Sequence, residues 1–206
     1  MNEVTVQVGG HVTLLFSIHS KQLLARNQGS RGAGLCLEDG VIASVKKIGT
    51  GEDSISVNFM DGTPFVEGQK LYFDLLKSFR DLFKIETAVN IEIQLELPVS
   101  QGFGMSGAGA VAAASSFQRA LGVSHEESRR RSYLIAHKVE RIRSTGLGDI
   151  TALSAGGVER RIAVGSPYSG KKLNSGPGKA EGWFEEMPVI LAWKSETGKH
   201  TSNYID

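Results

Sequence analysis

Residues 91–97, Ile-Glu-Ile-Gln-Leu-Glu-Leu, alternate apolar and polar side chains without a break. Successive side chains of an extended chain point to opposite faces, so this period predicts a strand with one face buried and one in water. Val4 to Val8, His11 to Ile18 and Ser54 to Met60 are rich in β-branched and apolar residues and predict further strands. Leu35 to Leu37 and Val41 to Val45 flank Asp39-Gly40, a dipeptide suited to a hairpin turn. The period then changes. Leu71, Leu75, Phe79 and Leu82 recur at spacings of four, four and three, which puts them on one face of a helix. Helices are predicted over Ser106 to Leu121, stopped by Gly122, and over His125 to Arg143, opened by a Ser124/Glu127 capping box. A short helix from Asp149 to Ala155 stops at Gly156-Gly157. Val158 to Val164 and Val189 to Trp193 read as two more strands, separated by a Gly/Pro/Ser/Lys-rich loop over 165–182. Antiparallel strands first and helices later indicate an α+β fold, and 206 residues suit one large domain or one and a half typical ones, with no internal repeat.

Composition narrows the functions. The net charge is +1, which gives no reason to expect nucleic acid or a membrane surface as a partner, and Arg129-Arg130-Arg131 reads as a solvated helix face. One cysteine, Cys36, excludes an internal disulfide, suits a reducing cytoplasm and falls in an apolar strand as a buried structural thiol. Neither an 18-residue apolar run nor a charged-then-apolar leader is present. Glycine is the outlier: 25 of 206 residues, clustered in loops, favour a chain that cradles a ligand.

The densest cluster follows the alternating strand: Pro98-Val99-Ser100-Gln101-Gly102-Phe103-Gly104-Met105-Ser106-Gly107-Ala108. A strand that ends in a glycine loop opening into a helix lets backbone N–H groups approach an anion, where the positive end of the helix dipole also points. A tight turn or close helix packing would use the same glycines. The Gly-Lys-Ser/Thr ending of a P-loop is absent. Gly102, Gly104 and Gly107 match the dinucleotide fingerprint literally, but its context is wrong. A Rossmann first strand is apolar on both faces, whereas 91–97 alternates as a one-face-exposed antiparallel strand does, and the acids about 20 residues on, Glu126 and Glu127, lie in a helix.

Three further segments matter: Asn27-Gln28-Gly29-Ser30-Arg31-Gly32-Ala33-Gly34, a polar glycine-rich loop; Ala136-His137-Lys138-Val139-Glu140, near a helix end; and Thr145-Gly146-Leu147-Gly148-Asp149, leading the short helix. Phosphoryl transfer needs such parts: N–H donors on the phosphates, a hydroxyl and a carboxylate for Mg2+, and a second carboxylate at the attacking hydroxyl. With these segments the chain resembles the GHMP superfamily of small-molecule kinases, and within it the archaeal pantoate kinases. The superfamily motif Pro-x-x-x-Gly-Leu-Gly-Ser-Ser-Ala is met by Pro98, Gly102, Phe103, Gly104, Met105, Ser106 and Gly107, with departures at Met105 and Gly107. The first superfamily motif, near Gly9-Gly10-His11-Val12-Thr13, has Gly9 where proline is usual.

The resemblance implies an N-terminal GHMP kinase domain over residues 1–206, a mixed or antiparallel sheet with packed helices. Lys199-His200-Thr201-Ser202 resembles the start of a C-terminal ferredoxin-like domain that the sequence does not continue. It implies ATP and Mg2+ as cofactors, a cytoplasmic enzyme and a small-molecule substrate, and it allows a homodimer. The nucleotide would sit on Pro98, Gly102, Phe103, Gly104, Met105, Ser106, Gly107 and Ala108. Ser106 and Glu140 would hold Mg2+, and Asp149 would act on the substrate hydroxyl. The bland alternatives are a helix cap for Ser106 and Asp149, and for Glu140 a solvated pairing with Lys138 or Arg143. Pantoate carries a carboxylate, for which Ser30 and Arg31 with Arg160 or Arg161 are the candidates. Alternation puts Arg161 on the face of Glu159 and Ala163, which has less apolar bulk than that of Val158 and Ile162, so Arg161 is preferred. His11, His19, His125, His137 and His200 share no metal-ligand spacing and read as structural or exposed. Competing functions are a kinase for homoserine, mevalonate or shikimate, a non-catalytic nucleotide or metabolite sensor, and a nicotinamide-binding module. A sensor would have lost an acid at 140 or 149, and both are present.

Overall fold

The computed structural model describes residues 3–169 and 174–194. His200 and residues 199–202 lie outside that range. In chain order the elements are β1 (Val4–His19), β2 (Gly29–Gly49), β3 (Ser54–Phe59), α1 (Gln69–Phe83), β4 (Ala88–Leu95), α2 (Met105–Ala120), α3 (His125–Arg143), α4 (Asp149–Ala155), β5 (Val158–Ala163), β6 (Tyr168–Ser169), β7 (Asn174–Ser175) and β8 (Lys179–Trp183).

One mixed sheet runs in the order β3-β4-β2-β5-β8, with β1 paired to β2. The long β2 organises it. One side of β2 pairs antiparallel with β1, while the other side takes β4 along Val41–Gly49 and β5 along Gly32–Leu35. The alternating segment 91–97 enters β4 over residues 91–95, with Val89, Ile91, Ile93 and Leu95 buried and Glu92 and Gln94 exposed. It is antiparallel to β2 as the alternation implies, but parallel to β3, to which α1 connects it. On the buried face, these side chains and Val41, Ala43 and Val45 meet α2. That helix is enclosed by the sheet, α1, α3 and α4, and its Ala108, Ala110, Ala112, Ala113 and Ala114 are wholly buried. Small side chains let the surrounding layers approach. Each large aliphatic or aromatic side chain in this core contributes roughly 1.5–3 kcal/mol.

Several sequence expectations change. The two strands expected over 4–18 are one continuous β1. Asp39-Gly40 forms no hairpin: residues 37–39 bulge opposite Gly10 within the β1–β2 ladder, between the pairs Gly9↔Gly40 and His11↔Cys36. The turn-forming groups find partners in β4's extension instead, since Gly40 N donates to Glu96 Oε2 at 2.7 Å and Gly40 O accepts from Glu96 N at 2.9 Å. Gly9, where proline is usual, lies so close to this bulge that a Cβ would stand 1.7 Å from Leu37 O. The segment 165–182 is not all loop, because β8 pairs antiparallel with β5 and β6 with β7. Val189–Trp193 is not a strand. In α1, Leu71, Leu75 and Phe79 are buried, but Leu82 is 51% exposed, so the apolar stripe ends a turn early.

Candidate active site

The start of α2, the end of α3, the start of α4 and residues 11–13 of β1 converge at one end of the sheet. They surround a cavity of about 850 Å3 whose walls include Thr13, Ser30, residues 99–106, Thr145, Gly148 and Asp149. The glycine loop supplies one wall. Gly104 is the N-cap of α2, at φ 62°, and no side chain caps the helix. The first intrahelical bond runs from Ala108 N to Gly104 O. The N–H groups of Met105, Ser106 and Gly107 therefore lack partners within the helix and form its positive end. The loop is fixed from below by a 2.9 Å bond from His11 N to Phe103 O.

Of the residues assigned to the nucleotide, Gly102, Phe103, Gly104, Met105 and Ser106 line the cavity, and Pro98, Gly107 and Ala108 do not. Ala108 is buried in the core, and Gly107 is the contact of α2 with α4: a Cβ there would stand 3.1 Å from Asp149 Cβ. Ser106 is not the helix cap. Its hydroxyl donates to Glu140 Oε1 at 2.6 Å, and Thr145 Oγ1 approaches the same oxygen at 3.5 Å. Glu140 is not the solvated residue of the bland reading but 2% exposed, while Arg143 pairs with Asp74. Burial, and then the charge of Asp149, push its carboxyl up to about 8.

One carboxylate with two hydroxyls suits Mg2+, which keeps waters and phosphate oxygens as its other ligands. Glu140 with Ser106 and Thr145 would hold it. Among the described residues no group of three His, Cys, Asp or Glu could form an all-protein cage.

Asp149 is the first residue of α4; the N-cap is Gly148. Its side chain is 19% exposed, toward the cavity. His11, expected to be structural or exposed, is instead its partner. Asp149 Oδ1 lies 2.7 Å from His11 Nδ1, and His11 Nε2 lies 3.1 Å from Glu159 Oε1. Burial opposes the charge on Asp149, but the hydrogen bond and charge of His11, with Arg161 behind, outweigh it and hold the carboxyl below its usual range. Burial likewise opposes the charge on His11, and its bonds to Asp149 and Glu159 override that and raise the imidazole above its ordinary value.

Ser30 lines the cavity, whereas Arg31 points away and is exposed. The two are neighbours in β2, and strand alternation sends them to opposite faces. Arg161 is 2% exposed and stands one layer behind the wall, against Ser30 and Gly148: a Cβ on Gly148 would fall 2.2 Å from Ser30 Oγ and 2.7 Å from Arg161 Nη1. Arg160 is on the open face and pairs with Glu181. Nε and Nη2 of Arg161 are buried with no hydrogen-bond partner among the described residues. Sequence reasoning missed His11, Glu159 and Thr145. The signal for Glu159 was present: alternation put it beside Arg161 on the face chosen for low apolar bulk.

Cys36 is half-buried, and burial, with the charges of Glu159 and Asp149, pushes its thiol up to about 12, which fits an inert structural thiol.

A mixed sheet with an uncapped glycine-loop helix aimed at a carboxylate pair defines the class. Residues 70–157 match the family model of the GHMP kinases N terminal domain. Among its curated relatives, the pantoate kinase of Thermococcus kodakarensis is 34% identical over 190 residues, covering 89% of this chain and 57% of the relative. The pantoate kinase of Methanospirillum hungatei is 30% identical over 169 residues, 80% of this chain and 55% of the relative. The chain thus spans somewhat over half the length of the curated relatives it matches. A solved "Phosphotransferase related to CoA biosynthesis pathway" superposes with a TM-score of 0.71 at 27% identity, over 90% of this chain and 58% of that one. Homoserine kinase from Cytophaga hutchinsonii, at 15% identity and a TM-score of 0.53 over 78% of this chain and 48% of that one, shares the fold. No helix among the described residues is long and apolar enough to cross a membrane.

Proposed function

We propose that this domain carries the nucleotide and catalytic groups of an ATP- and Mg2+-dependent kinase that phosphorylates the terminal hydroxyl of pantoate. The observation that carries the reading is the placement of Asp149 and Ser106 on the wall of one cavity, with Glu140 directly beneath Ser106. Curated relatives named pantoate kinase support the substrate, and a cytoplasmic archaeal enzyme of coenzyme A biosynthesis is the setting the reading implies.

The N–H groups at the start of α2 take the phosphates of ATP. Glu140 and Ser106 would hold Mg2+, which would supply positive charge against the phosphate oxygens. Asp149, kept ionised by His11, accepts the proton of the substrate hydroxyl while that oxygen forms its bond to the γ-phosphorus and the bond to the ADP oxygen breaks. Ser30 is the cavity-side contact for the substrate carboxylate, and Arg161 supplies the positive charge behind it. A buried guanidinium with unpaired N–H groups costs free energy that an approaching anion offsets.

Asp149→Asn tests the assignment, because the amide preserves shape but accepts no proton. Turnover of pantoate with Mg·ATP should fall on the order of 10²- to 10⁴-fold, with nucleotide binding and melting temperature retained. Survival within about threefold would mean that positioning alone carries the reaction. Homoserine, mevalonate and shikimate in the same assay decide the substrate: preference for any of them over pantoate overturns the substrate reading and leaves the kinase reading standing.

A further inference from the structure

Behind Asp149 lies a buried chain of alternating charge, one member of which, Glu159, has no part in the proposed reaction. Asp149, His11, Glu159 and Arg161 follow one another at 2.7 Å, 3.1 Å and 3.7 Å. His11 and Glu159 have fully buried side chains, and that of Arg161 is 1% exposed. Glu159 Oε1 serves both cations, while its Oε2 is buried without a hydrogen-bond partner among the described residues. A buried carboxylate is expensive unless it is paired, and among the described residues the partners of Glu159 are His11 and Arg161.

The geometry constrains the histidine. Both ring nitrogens face carboxylate oxygens at hydrogen-bonding distance, and an imidazole can satisfy two acceptors only when both nitrogens carry hydrogen. One charge on Glu159 thus favours the doubly protonated ring, whose Nδ1–H then holds Asp149 Oδ1. The same carboxylate lies two residues before Arg161 on β5, so both side chains point inward from one strand.

We propose that Glu159 is a positioning residue, which locks His11 toward Asp149 and Arg161 toward the anion side of the cavity, coupling the two ends of the reacting substrate. It touches neither substrate nor nucleotide. The proposal rests on Asp149 as the proton acceptor for its kinetic consequence, but the ring contacts it asserts exist without substrate.

The charged and titratable groups around His11 are Asp149 on α4, Glu159 and Arg161 on β5, and Cys36 on β2, with Glu140 on α3 acting on Asp149. Glu159→Gln keeps the shape and removes the charge. In the substrate-free protein, nitrogen-15 NMR of the His11 ring should show both N–H protons in the wild type, hydrogen-bonded and slow to exchange. In Glu159→Gln the Nδ1–H signal facing Asp149 should also move, although the substitution touches only Nε2. Loss confined to Nε2, or an unchanged ring, overturns the proposal. Kinetically, kcat should fall about 10- to 100-fold and the KM for pantoate should rise, with the KM for ATP held within about twofold. Equal kcat and KM values in an active wild type also overturn it. Glu159→Asp, which keeps the charge and retracts it by one methylene, is the second variant should the glutamine fail to fold. It should restore a doubly protonated ring, and a singly protonated one counts against the proposal. A wild type that binds no pantoate, with the NMR signature intact, removes the substrate reading and not this one.

Discussion

Two carboxylates, Asp149 on the cavity wall and Glu140 buried behind Ser106, are pushed in opposite directions: burial lifts Glu140 to about 8, while Asp149 is held down by His11 and Arg161. Such a split separates a group that waits for a cation from one that is ionised at neutral pH, the state a proton acceptor requires. His137 behaves differently again. It is buried, makes a 3.2 Å contact from Nε2 to Ala25 O, and burial lowers its imidazole to about 4, so it is neutral in the folded protein. The unfolded chain takes up a proton near 6.5 and the folded protein only near 4. Its contribution is therefore complete above 6.5 and is lost as pH falls from there toward 4. Between pH 7.5 and pH 5, wild type should lose about 2 kcal/mol more stability than His137→Gln in urea titrations, a difference set by this one linkage. Parallel losses in the two proteins would mean that His137 titrates normally when folded. None of this was legible in the sequence for His11, whose partners Asp149 and Glu159 are 138 and 148 residues away. Glu140 and Asp149 were legible because each sits in a local motif; the partners that hold Asp149 down, His11 and Arg161, come from distant strands.

Elements make the site accurate or loose, and the contact of α2 with α4 is a close one. A Cβ at Gly107 would stand 3.1 Å from Asp149 Cβ and 3.4 Å from Ile150 Cδ1, so Gly107→Ala must shift α4 by a few tenths of an ångström. Overpacking of that kind costs about 1–3 kcal/mol. Because Asp149 rides on the first turn of α4, turnover should fall on the order of 10-fold with the KM for ATP unchanged. Chemical denaturation gives the first quantity and steady-state kinetics the second. A stability loss with full turnover would show that the placement of α4 does not limit the rate. The period of side chains told which segments form β4, α1, α2 and α3, since burial on one face is a local property of the chain. It did not reveal what Asp39-Gly40 becomes, because the partner that replaces the turn, Glu96, arrives from the far end of β4. Nor did it find β8, whose Lys179-Ala180-Glu181-Gly182-Trp183 has little β-branched character and is a strand because β5 offers an edge.

At the scale of the whole molecule, the site is assembled from pieces that folding alone must hold together: residues 11–13 of β1, the loop before α2, the end of α3 and the start of α4. A ligand that touches several of them adds its binding free energy to the stability of all. A non-hydrolysable ATP analogue with Mg2+ at 100 times its dissociation constant should therefore stabilise the protein by about 2.7 kcal/mol. The glycine-loop wall and the Ser106–Glu140 pair make separate contributions, and metal removal distinguishes them. Chelation should remove the part that runs through Glu140 and leave the part owed to the N–H groups at the start of α2, so a smaller shift in melting temperature persists without metal. In Glu140→Gln the analogue alone should shift the melting temperature as it does in the wild type, and Mg2+ should add little. Equal Mg2+ increments in the two proteins would place the metal on the phosphates alone and reduce Glu140 to a buried acceptor for Ser106. No shift at all from the analogue, with or without Mg2+, would remove the nucleotide from this cavity, and the kinase reading would fail with it.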